Sequence, residues 1–133
     1  MLGHSHLLFV YGSLKQGYAN SFRMGQSRLL RTARSGSGFR LFDYGGYPAL
    51  VPEDGPEARS ILGEIWEVSA SQLESLDVFE GISSGLYRRG PIEMKDGTEG
   101  VEAYFYARTL QGLPDCGDRW LEDHDYWLEG WRF

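Results

Sequence analysis

The sequence predicts an α+β fold whose sheet is mixed, mostly antiparallel, and able to curl into a small β-barrel. Short apolar segments rich in β-branched and aromatic residues outnumber segments with helical spacing. One strong helical pattern falls between strands in the second half of the chain, the arrangement expected of an α+β domain. The 18 glycines among 133 residues follow no period, so they punctuate elements rather than build a repeat.

Residues 7–11 (Leu-Leu-Phe-Val-Tyr) read as a buried strand that ends at the turn Gly12-Ser13. Residues 20–26 suggest a short helix. Residues 28–41 read as one or two strands broken by Ser35-Gly36-Ser37-Gly38. Gly45-Gly46-Tyr47-Pro48 is a loop, followed by a short edge strand at Ala49-Leu50-Val51. Residues 52–58, with two prolines and three acids, form an exposed connection. In 61–68, Leu62, Glu64, Trp66 and Val68 share one face by period-two alternation. A helix follows, capped by Ser71 with Glu74 in capping-box spacing, or by Ser69. It runs to about Glu80 and stops at Gly81. Residues 86–94 and 101–108 form a strand pair joined by Lys95-Asp96-Gly97. The last stretch holds Trp120, Trp127 and Trp131; the spacing of Trp120, His124 and Trp127 predicts a short helix packed on the body.

The length fits one domain over 1–133, with 118–133 a tryptophan-rich C-terminal extension. A net charge of −6 gives no general attraction to nucleic acid or anionic membrane. Arg28, Arg31, Arg34 and Arg40 lie close in sequence but without alternating aromatics, and read as a solvated strand face. No apolar run approaches a membrane span, and the N-terminus lacks the features of a secretion signal, so the expected location is cytoplasmic. Cys116 is the sole cysteine, in a turn-rich stretch with no activating base beside it, and reads as structural. No residue pattern specifies an oligomeric state.

Glu80 is the residue most open to a chemical role. Leu73, Leu76, Asp77 and Glu80 lie on one helix face, and the two leucines turn that face toward the core. The helix C-terminus also disfavours negative charge, so burial and dipole both raise the pKa of a carboxyl placed there. An exposed last-turn glutamate pointing to water is the first reading of the spacing alone, and Asp77, one turn earlier, is the rival acid. Tyr11-Gly12-Ser13-Leu14 follows a buried strand, and successive N–H groups in such a turn can form a nest for a carboxylate. Glu64 is a second candidate buried carboxylate, with a structural hydrogen bond an equal account. His4-x-His6 has metal-like spacing but no third ligand nearby.

Together these segments resemble the gamma-glutamyl cyclotransferase-like superfamily, most of all its small gamma-glutamylamine cyclotransferase branch. Tyr11-Gly12-Ser13-Leu14-Lys15 with Gly17 and Asn20 is similar to its opening signature. Gly45-Gly46-Tyr47-Pro48-Ala49-Leu50 and Gly63-Glu64-Ile65-Trp66 resemble its middle motifs. Leu76-Asp77-Val78-Phe79-Glu80-Gly81 with Leu86-Tyr87-Arg88-Arg89 resembles the segment of its catalytic acid. The resemblance implies a compact β-barrel with flanking helices. It also implies release of 5-oxoproline from a small-molecule gamma-glutamyl substrate, with no metal or cofactor. Glu80 would then carry protons, Tyr11, Gly12, Ser13 and Leu14 would hold substrate, and Tyr87 would touch it. A non-catalytic module keeping the same pocket for a small ligand is the alternative. The segment 118–133 matches none of the family's motifs.

Overall fold

The most apolar run of the chain, which includes Leu8, Phe9 and Val10, becomes the centre of a sheet buried on both faces. The computed structural model describes residues 5–121. Its strands are β1 (Ser5–Val10), β2 (Arg28–Arg34), β3 (Phe39–Tyr44), β4 (Tyr47–Pro52), β5 (Leu62–Ser69), β6 (Tyr87–Pro91) and β7 (Val101–Tyr106). One helix, α1 (Ala70–Phe79), lies between β5 and β6, and 3-10 turns occupy Ser21–Met24 and Ile82–Ser84. Five strands form a sheet in the order β2-β5-β1-β7-β6, antiparallel throughout except for the β1·β7 pair. The hairpin of β3 and β4 is a separate two-stranded sheet.

The mixed α+β fold is as expected, but the sheet is not closed into a barrel. The edge strands β2 and β6 do not pair; only the chain beyond them touches, at an isolated bridge between Ser35 and Met94 where the Gly36 N–H donates to Glu93 O at 2.8 Å. β6 stops at Pro91, which has no N–H to offer a further neighbour. The β3–β4 hairpin instead packs on β7 through rings, Phe39 on Phe105 at 6.0 Å and Tyr44 on Tyr106 at 5.1 Å.

One face of the sheet packs Leu8, Val10, Trp66 and Val68 with Leu73 and Leu76 of α1. The other packs Phe9, Ile61 and Ile65 with Leu41 and Leu50 of the hairpin. Two-sided burial is why the alternation expected in β5 is incomplete: Ile65 is buried opposite Trp66 and Val68, while Leu62 and Glu64 are half-buried.

Ser69, not Ser71, caps α1, since its hydroxyl accepts the Gln72 N–H at 3.1 Å. At the other end Glu80 is the C-cap, and Gly81 follows with φ 69°, a left-handed turn that returns the chain toward β6. The helix expected over 20–26 is only the 3-10 turn. The loop at Gly45-Gly46-Tyr47-Pro48 is tighter than expected, because Tyr47 and Pro48 already pair with Tyr44 and Asp43.

The four sequence-neighbouring arginines do not form a shared face. Arg28 pairs with Glu67, Arg31 with Asp96, Arg34 with Asp118 and Arg40 with Asp115, each at 3.2 Å or less. Trp120 is buried and non-helical; His124 and Trp127, the rest of the expected helix, lie outside the described residues. Among the described residues no helix is long and apolar enough to cross a membrane.

Candidate active site

Five segments far apart in sequence converge on a cavity of about 330 Å³. The chain leaving β1 forms one wall with Tyr11, Gly12, Ser13 and Leu14. The end of α1 supplies Phe79 and Glu80, the approach to β6 supplies Leu86 and Tyr87, and β7 supplies Tyr104. The β3–β4 hairpin contributes Tyr44, Tyr47 and Pro48. All six residues singled out in the sequence therefore face one space, whereas Asp77 and Glu64 do not line it.

The Tyr11–Leu14 loop is held from outside the cavity. Ser13 O accepts the Asn20 N–H and Ser13 Oγ accepts from Asn20 Nδ2, both at 2.9 Å, while the Lys15 N–H donates to Gly12 O at 3.0 Å. The backbone N–H groups of Gly12, Ser13 and Leu14 find no protein acceptor among the described residues. Three successive unpaired donors beside a cavity are suited to an anion. Gly12 has a packing reason as well: a Cβ there would stand 2.2 Å from Pro48 Cγ, so its absence lets β4 close on the loop.

Glu80 is the one charged side chain lining the cavity among the described residues. Its backbone N–H donates to Leu76 O at 2.8 Å, which holds it in the last turn of α1. Burial, with no protein hydrogen bond to offset it, pushes its carboxyl up to about 7. No basic residue in that last turn relieves the helix dipole.

The phenols around Glu80 send their protons away from it. Tyr11 donates to Tyr104 O, Tyr87 donates to Pro48 O, and Tyr104 donates to Asp77 Oδ1 at 2.7 Å. Burial first, with the Glu80 charge contributing, raises the pKa of all three, so they stay neutral. With its proton committed, each oxygen can only accept from a ligand.

Asp77, the rival acid, is engaged elsewhere. Arg89 grips it with Nε at 2.9 Å and Nη2 at 3.0 Å. Burial pushes this carboxyl up, but the hydrogen bonds from Arg89 and Tyr104 outweigh it and the net pKa is lowered. Such a group is a poor proton carrier near neutrality. Glu64 accepts from the Gln16 N–H at 2.8 Å and Trp66 Nε1 at 3.0 Å, a brace for the chain beyond the loop. Burial pushes the Cys116 thiol up to about 12, which fits an unreactive residue. His6 lies on β1 opposite Val68, and His4 is outside the described residues.

Sequence reasoning missed Phe9, Val10, Tyr44, Tyr47, Pro48, Phe79, Leu86 and Tyr104 as lining residues. Signals were present for two of them: Tyr44 and Tyr47 flank a two-glycine hairpin turn, the mark of facing cross-strand aromatics.

The chain is 36% identical over 113 residues to a Vibrio cholerae protein that carries a gamma-glutamylcyclotransferase name, covering 85% of this chain and 94% of that one. It is 35% identical over 115 residues to gamma-glutamylaminecyclotransferase B of Danio rerio, covering 77% and 59% respectively. The crystal structure of an AIG2-like protein from Mus musculus superposes with a TM-score of 0.70 at 26% identity, over 86% of this chain and 88% of that one. A family model described as gamma-glutamyl cyclotransferase, AIG2-like, matches residues 8–129, and the chain belongs to this family of enzymes.

Proposed function

We propose that the protein releases 5-oxoproline from a gamma-glutamyl amine or related gamma-glutamyl conjugate, with Glu80 as general base and then general acid. The observation that carries this reading is the polarity of the cavity. Unpaired N–H donors of Gly12, Ser13 and Leu14 stand on one wall, and a carboxyl with a pKa of about 7 stands on another. That pairing matches a glutamyl head group, whose α-carboxylate needs donors and whose α-ammonium needs acceptors. The gamma-glutamylamine activity in the Danio rerio relative's name agrees with it.

In this mechanism the loop N–H groups bind the α-carboxylate. Glu80 takes a proton from the α-ammonium, and the freed nitrogen attacks the gamma carbonyl carbon of the same molecule. A five-membered ring closes, and the bond from that carbon to the departing nitrogen breaks as Glu80 returns its proton to that nitrogen. The ring nitrogen sheds its second hydrogen, which the departing amine takes up to leave as an ammonium. The products are 5-oxoproline and a free amine. Attack within one bound molecule already has a high effective molarity, so the protein's work is to fold the substrate and carry one proton. A pKa near neutrality suits a group that must both take and give it. The phenol oxygen of Tyr87 would accept from the ammonium. The steps require no metal or cofactor.

The test is a panel of gamma-glutamyl amines, gamma-glutamyl peptides and related conjugates, assayed for 5-oxoproline. Wild type should convert at least one, and Glu80→Gln should lose roughly 10²–10⁴-fold in kcat while still binding 5-oxoproline. Release of free glutamate instead would make the reaction a hydrolysis. Binding of 5-oxoproline without turnover of any substrate would reduce the protein to a ligand-binding module.

A further inference from the structure

We infer that Arg89 is a positioning residue for this site: through Asp77 it clamps the last turn of α1 to the sheet and so aims Glu80 into the cavity. The inference rests on Glu80 as the proton carrier proposed above. It starts from a weakness of the helix. α1 has ten residues, ends on the weak helix formers Asp77, Val78 and Phe79, and has no basic side chain in its last turn, so that turn has little stability of its own. Glu80 sits at its very end, held within the helix by the hydrogen bond to Leu76 O. A helix end frays unless something fixes it.

The fixing group is one turn back. Asp77 lies three residues before Glu80 on the same face, and both its oxygens are taken. Oδ1 accepts from Arg89 Nε at 2.9 Å and from Tyr104 Oη at 2.7 Å, and Oδ2 accepts from Arg89 Nη2 at 3.0 Å. Arg89 is tethered in turn by Glu102 Oε1 at 2.6 Å. The chain of contacts joins α1 to β6 through Arg89 and to β7 through Glu102 and Tyr104. A planar guanidinium fork fixes the angle as well as the distance of a carboxylate, which a lysine cannot do. These side chains are only about a quarter to a third exposed (27% for Arg89, 25% for Asp77, 33% for Glu102), so water competes little. Tyr104 is part of the same device, because its ring lines the cavity while its hydroxyl is spent on Asp77.

Neither Arg89 nor Asp77 contributes to the raised proton affinity of Glu80, which comes from burial alone. The groups that face Glu80 are the neutral phenols of Tyr11 from the loop after β1, Tyr87 from β6 and Tyr104 from β7, with Tyr44 and Tyr47 of the hairpin also lining the cavity. The clamp therefore acts by geometry. If it loosens, the carboxyl swings toward water and its proton affinity falls.

A ¹³C titration of the Glu80 carboxyl, assigned by its loss in Glu80→Gln, reads this without any turnover. Arg89→Lys keeps the charge and loses the fork; Asp77→Asn keeps the shape and loses the pair. In each, with folding checked by circular dichroism, the Glu80 midpoint should drop by about one pH unit or more as its carboxyl reaches water. On an active substrate, kcat should fall about 10- to 100-fold with KM little changed, the usual cost of a small misplacement. An unchanged midpoint in folded Arg89→Lys overturns the inference even if Asp77→Asn shifts it, because charge and not the clamp would then be acting. Should Arg89→Lys fail to fold, an unchanged midpoint in Asp77→Asn overturns it. A wild-type protein that made no 5-oxoproline would defeat the proposed reaction and leave this titration readable.

Discussion

Glu80 is kept where the fold would rather not hold a charge. In an unfolded chain its carboxyl ionises near 4.5, and in the folded protein at about 7. Between those values the folded state binds more protons than the unfolded one. Stability is therefore full below about pH 4.5 and is lost as pH rises through about 7, by on the order of 1–3 kcal/mol. Glu80→Gln removes the charge and keeps the shape. That variant should be more stable than wild type near pH 8 and equal to it near pH 4.5, where both side chains are neutral. Urea unfolding at the two pH values measures the difference, and an equal gap at both would mean that Glu80 is not buried as described. If Glu80 is the base proposed above, the same burial sets the activity profile. A base must be ionised to work, so kcat/KM should rise with pH through a midpoint near about 7. Asp77, three residues earlier, shows how neighbours on one helix face diverge. Its hydrogen bonds hold it ionised, while the lack of any leaves Glu80 near neutrality.

At the scale of elements, the cavity depends on the β3–β4 hairpin closing against the loop after β1. Two contacts hold that closure, the Tyr87 hydroxyl on Pro48 O and the void at Gly12 that receives the Pro48 ring. A valine at Gly12 would not simply block the pocket, since even its Cβ collides with β4. Gly12→Ala should cost about 1–3 kcal/mol of stability through overpacking. Adding Pro48→Ala removes the clashing Cγ and should restore most of that loss, giving a coupling energy of about 1 kcal/mol or more in a double-mutant cycle. Strict additivity of the two substitutions would show that the loop and hairpin do not meet. The capping of α1 illustrates the same dependence on neighbours. Ser69 and Ser71 offer the same chemistry, and the extended backbone of Ser69 at the end of β5 is what places its hydroxyl on the Gln72 N–H.

At the scale of the whole molecule, the segment before the undescribed C-terminal residues is tied to the body rather than appended to it. Asp118 O accepts the Leu62 N–H at 2.8 Å, Lys15 Nζ donates to Trp120 O at 2.9 Å, and Trp120 is buried with Phe9, Leu41 and Ile65. Lys15 follows the Tyr11–Leu14 loop directly, so this segment and the loop share an anchor. Trp120→Ala should therefore cost about 3–5 kcal/mol, the range for a large aromatic removed from a core. Chemical denaturation measures it; a loss below about 1 kcal/mol would return Trp120 to the surface.

The sequence by itself determined the mixed α+β class, the strand at β1, the helix ending at Glu80 and Gly81, and six of the residues that line the cavity. Each of these follows from local periodicity, from turn residues or from a motif continuous in the chain. Tertiary structure alone separates the environments of Glu80 and Asp77, because their difference lies in Arg89 and Tyr104, which approach from other strands. It also decided that the sheet stays open and that Gly12 is paired with Pro48. These outcomes turn on contacts between residues tens of positions apart, and no local pattern encodes a distance across the fold.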